Sequence, residues 1–232
     1  MPKHEPEGFK VTENVYLVAG GDVTGGGDAA AFLLVLDEPV LIDTGAGDSI
    51  TEIIENIRAV GVDPQAIKKV VLTHNHIDHI GGAPYLKQMY GVTLIMHELD
   101  APAVRGGDDT ATAAKMYGVK FPPTPVDVTF AEHEHRLAVG GDVLVLLHTP
   151  GHTPGSISPY IDLDKKRILF GQDVHGPFVE AFGSDIGRWR ESMEELIALK
   201  PDILCEGHFG IYEPHERAVA YIRGYLDRYA HY

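Results

Sequence analysis

A layered α/β fold, with helices covering sheets, is predicted by three observations. Short β-branched runs alternate with amphipathic segments of 3.6-residue period in both halves of the chain. Several of the runs end where glycine stands beside His, Asp or Thr, as strands do when they hand side chains to a loop. The 232 residues are enough for a large buried core without cross-links.

The first half opens with strands predicted at Val15 to Val18 and Ala31 to Leu36, joined by the Gly-rich stretch Gly20 to Gly27. That stretch lacks the Gly-Lys-Ser/Thr ending of a phosphate-binding loop and reads as a hairpin loop at a site rim. Val40 to Ile42 is a short strand ending at Asp43-Thr44-Gly45. Ser49 followed by Glu52 fits a capping box. The helix it starts carries Ile50, Ile53, Ile54, Ile57 and Val60 on one face and stops at Gly61. A strand at Lys69 to Leu72, a helix at Pro84 to Met89 and a strand at Val92 to Met96 follow.

Residues 98–125 break the rhythm. Ala, Gly, Asp and Pro dominate, with a helical centre predicted around Thr110 to Tyr117, so this segment is either a substrate-side insertion or a packed helix pair. The second half resumes with strands at Val143 to Leu147, Ser156 to Ile161, Arg167 to Phe170 and Ile203-Leu204. One helix carries Trp189, Met193, Leu196 and Ile197, and a last one, about Pro214 to Tyr229, turns Ala218, Ile222, Leu226 and Tyr229 inward. Pro159 marks its strand as an edge or a bulge. The whole is one domain over residues 1–232, in halves of about 1–125 and 126–232 with weak two-half symmetry.

Charge and cysteine content narrow the function. Lys plus Arg total 19 against 34 Asp plus Glu, a net −15, which opposes binding to nucleic acid or to an anionic membrane. A small molecule is the expected partner. The single cysteine, Cys205, excludes an intrachain disulfide. Met1 to Lys10 is polar with no apolar signal core, so the expected setting is the cytoplasm. Aromatic residues on the last helix suit either the core or a homodimer. Histidine, at 13 residues, is the count that points to chemistry.

The densest cluster is His74-Asn75-His76-Ile77-Asp78-His79, directly after an apolar strand. Imidazole and carboxylate suit Zn, and also Fe or Mn. The spacing lets His74 and His76 serve one ion while Asp78 and His79 reach a second. Each sphere then needs donors from elsewhere. His152, Asp173 and His208 each follow a strand beside glycine, where the backbone can turn sharply. Singly each is an ordinary turn residue; with the first cluster they make five His and two Asp, enough for two sites with open positions.

His74-x-His76-x-Asp78-His79 followed in order by His152, Asp173 and His208 resembles the metallo-β-lactamase-fold hydrolase superfamily. The resemblance implies a four-layer αβ/βα sandwich of two mixed sheets with helices on the outer faces, and a site at one edge between the halves. It implies two divalent ions, zinc first with Fe or Mn as alternatives. His74, His76 and His152 would hold one, Asp78, His79 and His208 the other, with Asp173 bridging. Asp43 matches a residue that orients a ligand, besides serving the turn before the helix. Two such ions acidify a shared water, and the bridging hydroxide would cleave a small ester, lactone, thioester or phosphodiester. Asp78 would orient that hydroxide or pass its proton to the leaving group. His175 would be a substrate-side acid or a turn histidine before Gly176-Pro177. His97, His133, His135, His148 and His215 lack partner spacing and are read as non-ligands.

The departures matter as much. True β-lactamases of this fold generally lack the bridging carboxylate that Asp173 supplies. Close lactonase relatives place a tyrosine where Gly176 stands, and glutathione thioesterases add a basic C-terminal segment that the short stretch after His208 does not supply. The alternative is a mononuclear iron oxidoreductase like the persulfide dioxygenases, using the equivalents of His74, His152 and Asp173.

Overall fold

The computed structural model describes residues 10–232; the polar opening segment before Lys10 lies outside them. Two six-stranded sheets face each other. The first runs β1 (Val15–Ala19), β2 (Ala31–Leu34), β3 (Val40–Ile42), β4 (Lys69–Val71), β5 (Thr93–His97) and β6 (Val128–Phe130), side by side in chain order. β1, β2 and β3 form an antiparallel meander, and β3 to β6 are parallel. Parallel neighbours need crossovers. Here they carry α1 (Ile50–Ala59), then α2 (Ile77–Ile80) with α3 (Ala83–Tyr90), then α4 (Ala101–Gly106).

The second sheet holds β7 (Glu134–Val139), β8 (Asp142–His148), β9 (Ile157–Leu163), β10 (Lys166–Gln172), β11 (Ile203–Glu206) and β12 (Ile211–Tyr212), again in chain order across the sheet. Only β10 and β11 are parallel, and α5 (Ile186–Ala198) makes that crossover; α6 (His215–Arg228) packs beside it.

Alternation along each strand explains the layering, because successive side chains point to opposite faces. Phe32, Ile42, Val71 and Ile95 face inward and meet Leu146, Ile161, Phe170 and Cys205 of the other sheet. Their neighbours Leu33, Leu41, Val70 and Leu94 face outward onto Ile50, Ile53 and Ile57 of α1 and Leu86 of α3. On the far side, Val145, Leu147, Leu169 and Leu204 meet Trp189, Met193 and Leu196 of α5 and Ala218 and Ile222 of α6. The result is the helix–sheet–sheet–helix sandwich that the resemblance implied. Cys205 is core, and burial raises its thiol pKa. Among the described residues no helix is long and apolar enough to cross a membrane.

Three local expectations need correction. The capping box at α1 does not form: Ser49 is the N-cap, but its hydroxyl donates to the Asp28 carboxylate and accepts no helix N–H. Residues 110–117 are turns, and the insertion's helix is α4. Asp108 Oδ1 accepts the N–H groups of Thr110 and Ala111, at 2.9 and 3.0 Å, and Thr112 Oγ1 donates to Asp108 O at 2.7 Å. These side-chain bonds offer the backbone an alternative to the helix. Pro159 is neither at an edge nor flagged by a bulge, since β9 lies between β8 and β10. It is accommodated because the paired register with β10 stops at Tyr160, leaving Pro159 opposite Leu146 of β8 alone.

Candidate metal centre

The loops leaving β3, β4, β8, β10 and β11 meet at one edge of the sandwich. Backbone bonds tie the two sheets together there: Ile157 N–H donates to Thr73 O at 2.9 Å, and Ala30 N–H to Gly207 O at 2.7 Å. Asp100, buried at the start of α4, accepts from Asn75 N at 3.2 Å, Thr153 Oγ1 at 2.6 Å and Gly155 N at 2.7 Å. Burial raises its pKa to about 6 against the opposing effect of those donors.

These ties bring the seven predicted residues into two groups. His74, His76, His152 and Asp173 present donor atoms within 4.8 Å of one another, as do Asp78, His79 and His208. Six of the seven side chains are buried, and His208, 23 % exposed, stands at the mouth. Asp173 faces both groups. Its Oδ2 is 3.3 Å from His152 Nε2, and its Oδ1 is 3.1 Å from His79 Nε2 and 3.3 Å from His208 Nε2. His152 Nε2 lies 2.9 Å from His76 Nδ1, and His208 Nε2 lies 3.2 Å from Asp78 Oδ2.

Local structure orients each ring. Asp43, at the end of β3 with φ of 61°, accepts Thr73 N–H at 2.8 Å and the Thr73 hydroxyl at 2.7 Å, and its Oδ2 lies 2.7 Å from His79 Nδ1. His79 Nε2 is thereby turned to the centre. His152 Nδ1 is 2.9 Å from Pro177 O, which leaves Nε2 as a lone pair. Glycines permit the close approach: a Cβ on Gly207 would stand 2.7 Å from Asp173 Oδ1, and one on Gly151 2.3 Å from Trp189.

The donor set fits divalent cations. His74 Nε2, His76 Nε2, His79 Nε2 and Asp173 Oδ1 are buried without a hydrogen-bond partner; His79 Nε2 and Asp173 Oδ1 are close but not aligned for one. Buried polar atoms normally find partners. Neighbouring ligands of a tetrahedral ion with bonds of about 2.0–2.1 Å stand about 3.3 Å apart, matching these spacings.

Protonation divides the same way. Burial, aided by neighbouring imidazoles, holds His74 well below the ordinary range and His76 at about 3, and burial also lowers His152. Neutral imidazole is the form that binds metal. Burial lowers His79 too, but the carboxylates of Asp173, Asp43 and Asp78 outweigh it and hold the ring well above the ordinary range. For His208 burial is likewise outweighed, by the adjacent carboxylates of Asp173 and Asp78, and the pKa is pushed up to about 10. Burial opposes the ionised form of Asp173, yet His79 and His152 keep it well below the carboxylate range.

His175 sits in the turn before Gly176, whose N–H donates to Asp173 O at 3.2 Å. Its Nδ1 is 2.9 Å from Glu206 Oε1, and its ring lies edge-on to His208 at 5.1 Å. Glu206, 1 % exposed, also accepts the N–H groups of His208 and Phe209, at 2.7 and 2.8 Å, so one carboxylate orders this side of the site. Sequence reasoning missed it, although an acidic residue directly before Gly207-His208 was the available signal. It also missed Tyr117, which lines the smaller cleft; burial first, and then the Asp78 carboxylate, raises its pKa. His97, His133, His135, His148 and His215 lie outside both groups; the rings of His97 and His148 stack on each other at 3.8 Å.

The Gly-rich loop forms the rim as expected. A cleft of about 380 Å³ between the β1–β2 loop and the β11–β12 loop, walled by Leu17, Ala30, Phe32 and Ile211, opens onto His208. A smaller one, of about 210 Å³, lies between Gly25–Gly27 and Tyr117.

Comparison with known proteins agrees with this arrangement. The probable metallo-hydrolase YflN of Bacillus subtilis is 29 % identical over a 212-residue alignment covering 76 % of this chain and 78 % of the relative. The hydroxyacylglutathione hydrolase GloC of Haemophilus influenzae is 34 % identical over 117 residues, 47 % of this chain and 50 % of the relative. A mutant metallo-beta-lactamase from Cronobacter sakazakii superposes with a TM-score of 0.80 over 96 % of this chain and 94 % of its own; at 22 % identity that likeness concerns the fold alone. The sequence model of the metallo-beta-lactamase superfamily matches residues 24–208, which span every strand from β2 to β11 and all seven clustered donors, and the chain therefore belongs to that superfamily.

Proposed function

We propose that the chain is a dinuclear metallohydrolase of small neutral or modestly charged molecules. The observation that carries this reading is Asp173, whose two carboxylate oxygens face the two donor groups separately. His74, His76 and His152 would hold one ion and Asp78, His79 and His208 the other, with Asp173 shared. Zinc suits a nitrogen-rich set of this kind. Divalent ions there would supply Lewis-acid activation of water and of a carbonyl or phosphoryl oxygen at neutral pH.

The chain's own groups do the rest. Asp43 fixes the His79 ring. Asp78, whose Oδ2 lies 3.2 Å from His208 Nε2 at the mouth, is placed to accept or release a proton at its carboxylate. Leu17, Ala30 and Phe32 offer the cleft beside His208 an apolar wall for the substrate body. Esters, lactones, thioesters and phosphodiesters share the electrophilic centre this chemistry needs. The partial match to a hydroxyacylglutathione hydrolase supports including a thioester among them. The net charge of −15 disfavours polyanionic substrates.

Elemental analysis of protein purified without added metal, combined with a hydrolysis screen over those four classes, tests the reading. The expected result is close to two ions per chain and turnover of at least one class, lost in Asp173→Ala. One iron per chain, with sulfur-dependent oxygen uptake and no hydrolysis, would replace it with the mononuclear oxidoreductase. The complete second group, Asp78, His79 and His208, favours hydrolysis.

A further inference from the structure

Beside His175 lies another cavity, of about 420 Å³. Its walls are aromatic: Phe209, Tyr225, Tyr229 and Tyr232, with the His175 ring on the side of the metal centre. Phe209 stands edge-on to His175 at 4.7 Å and is shared with the first cleft, so the two spaces flank one loop. Hydrogen bonds fix the cavity's C-terminal wall. Arg190 Nη2 donates to the carbonyls of Tyr229 and Tyr232, both at 2.7 Å, and pins the C-terminal turn. The Tyr229 hydroxyl donates to His175 O at 3.1 Å, tying that turn to the segment beside the centre.

One cation reaches this aromatic space. Arg228 lines the cavity, with its guanidinium carbon 5.8 Å from the centre of the Tyr225 ring. No Asp or Glu side chain lines the cavity, and among the described residues no ion pair uses Arg228. Arg136 and Arg167 on the second sheet are paired with acids. In a chain with 34 acidic and 19 basic residues, an arginine facing rings and no acid is placed for an anion from outside. Ring walls take a flat aromatic group, and a planar guanidinium accepts a carboxylate in two parallel hydrogen bonds. A single guanidinium matches one negative charge, which favours a carboxylate over the near-dianion of a phosphate monoester.

We propose that this cavity is a substrate subsite for an aromatic ring bearing a carboxylate, with Arg228 as the residue that selects the charge. The proposal rests on the metallohydrolase reading and adds the class of leaving group: a carboxylated phenol or thiophenol. In an ester of that kind the acyl–oxygen bond breaks, water gives its hydroxyl to the acyl carbon, and the remaining proton leaves with the phenol.

The test uses the zinc-loaded protein and ω-(4-acetoxyphenyl)alkanoic acids of increasing spacer length, ionised at neutral pH, each beside its uncharged carboxamide. The wild-type protein should favour at least one carboxylate over its amide by about tenfold in kcat/KM, through KM. Arg228→Ala should bring that ratio close to one, Arg228→Lys should restore part of it, and Arg136→Ala, on β7, should leave it unchanged. A ratio near one in the wild-type protein, or a ratio indifferent to Arg228→Ala, overturns the subsite. Binding of 4-hydroxyphenylacetate and 4-hydroxyphenylacetamide, followed by calorimetry, separates the two readings. If no ester is cleaved yet the acid binds about tenfold tighter than the amide and loses that margin in Arg228→Ala, hydrolysis falls and the subsite stands. Equal binding of acid and amide overturns the subsite whatever the activity.

Discussion

Asp43 Oδ2 lies 2.7 Å from His79 Nδ1, and the same carboxylate takes both the N–H and the hydroxyl of Thr73. The end of β3 thus sets the ring of a residue on α2 by way of the loop leaving β4. Asp43→Asn keeps an acceptor for Thr73 and tolerates the left-handed backbone, but it cannot hold the imidazole with a full charge. Zinc affinity at the Asp78–His79–His208 group should fall about 10–100-fold, measured by chelator competition, with little change in fold by circular dichroism. Undiminished affinity would show that His79 needs no such support.

The metal-free protein should be most stable near pH 6.5. His74, His76 and His152 titrate below their ordinary 6.5 in the folded state, so the stability they carry is present above that pH and lost as pH falls toward about 3, the His76 value. His79 and His208 are shifted the other way. Their contribution is complete below 6.5 and is lost as pH rises through about 10, the His208 value. Zinc replaces the protons on those two rings, so the alkaline loss should vanish in the loaded protein. Thermal melts from pH 4 to 10 with and without zinc read both limbs.

Gly207→Ala should weaken zinc binding in both groups at once. The added methyl would stand 2.7 Å from Asp173 Oδ1 and 3.1 Å from the carbonyl carbon of Gln172, and the side chain is the softer of the two. A displaced Asp173 loses its contacts to His79, His152 and His208 together. Zinc stoichiometry under mild chelation should drop while the metal-free melting temperature moves by only a few degrees.

Glu206→Ala should destabilise the metal-free protein by about 2–4 kcal/mol, read by denaturant titration. It strips acceptors from the N–H groups of His208 and Phe209 and from the His175 ring, and buried donors without partners are costly. Glu206→Gln, which keeps one carbonyl oxygen, should recover part of the loss.

The sandwich was legible because its central strands, such as β2, β3 and β11, are buried on both faces, and alternation such as Leu41 against Ile42 assigns each side chain to a layer. The cluster of seven was legible because four of its members sit within six residues and the other three end strands. What stayed hidden depends on contacts between distant segments. Glu206 and Tyr117 matter only because β10, β11 and the insertion approach the same edge. The alanine-rich stretch at 110–117 follows its composition toward a helix until Asp108 captures the first free N–H groups. Ser49 turns from its own helix because Asp28 offers a charged acceptor nearby.

Each donor group draws on both sheets: His74 and His76 meet His152 and Asp173, and Asp78 and His79 meet His208. Neither half of the polypeptide can assemble a full coordination set by itself. Two fragments divided between β6 and β7 would therefore reassociate more tightly in the presence of zinc, the ion acting as a rivet through the seam.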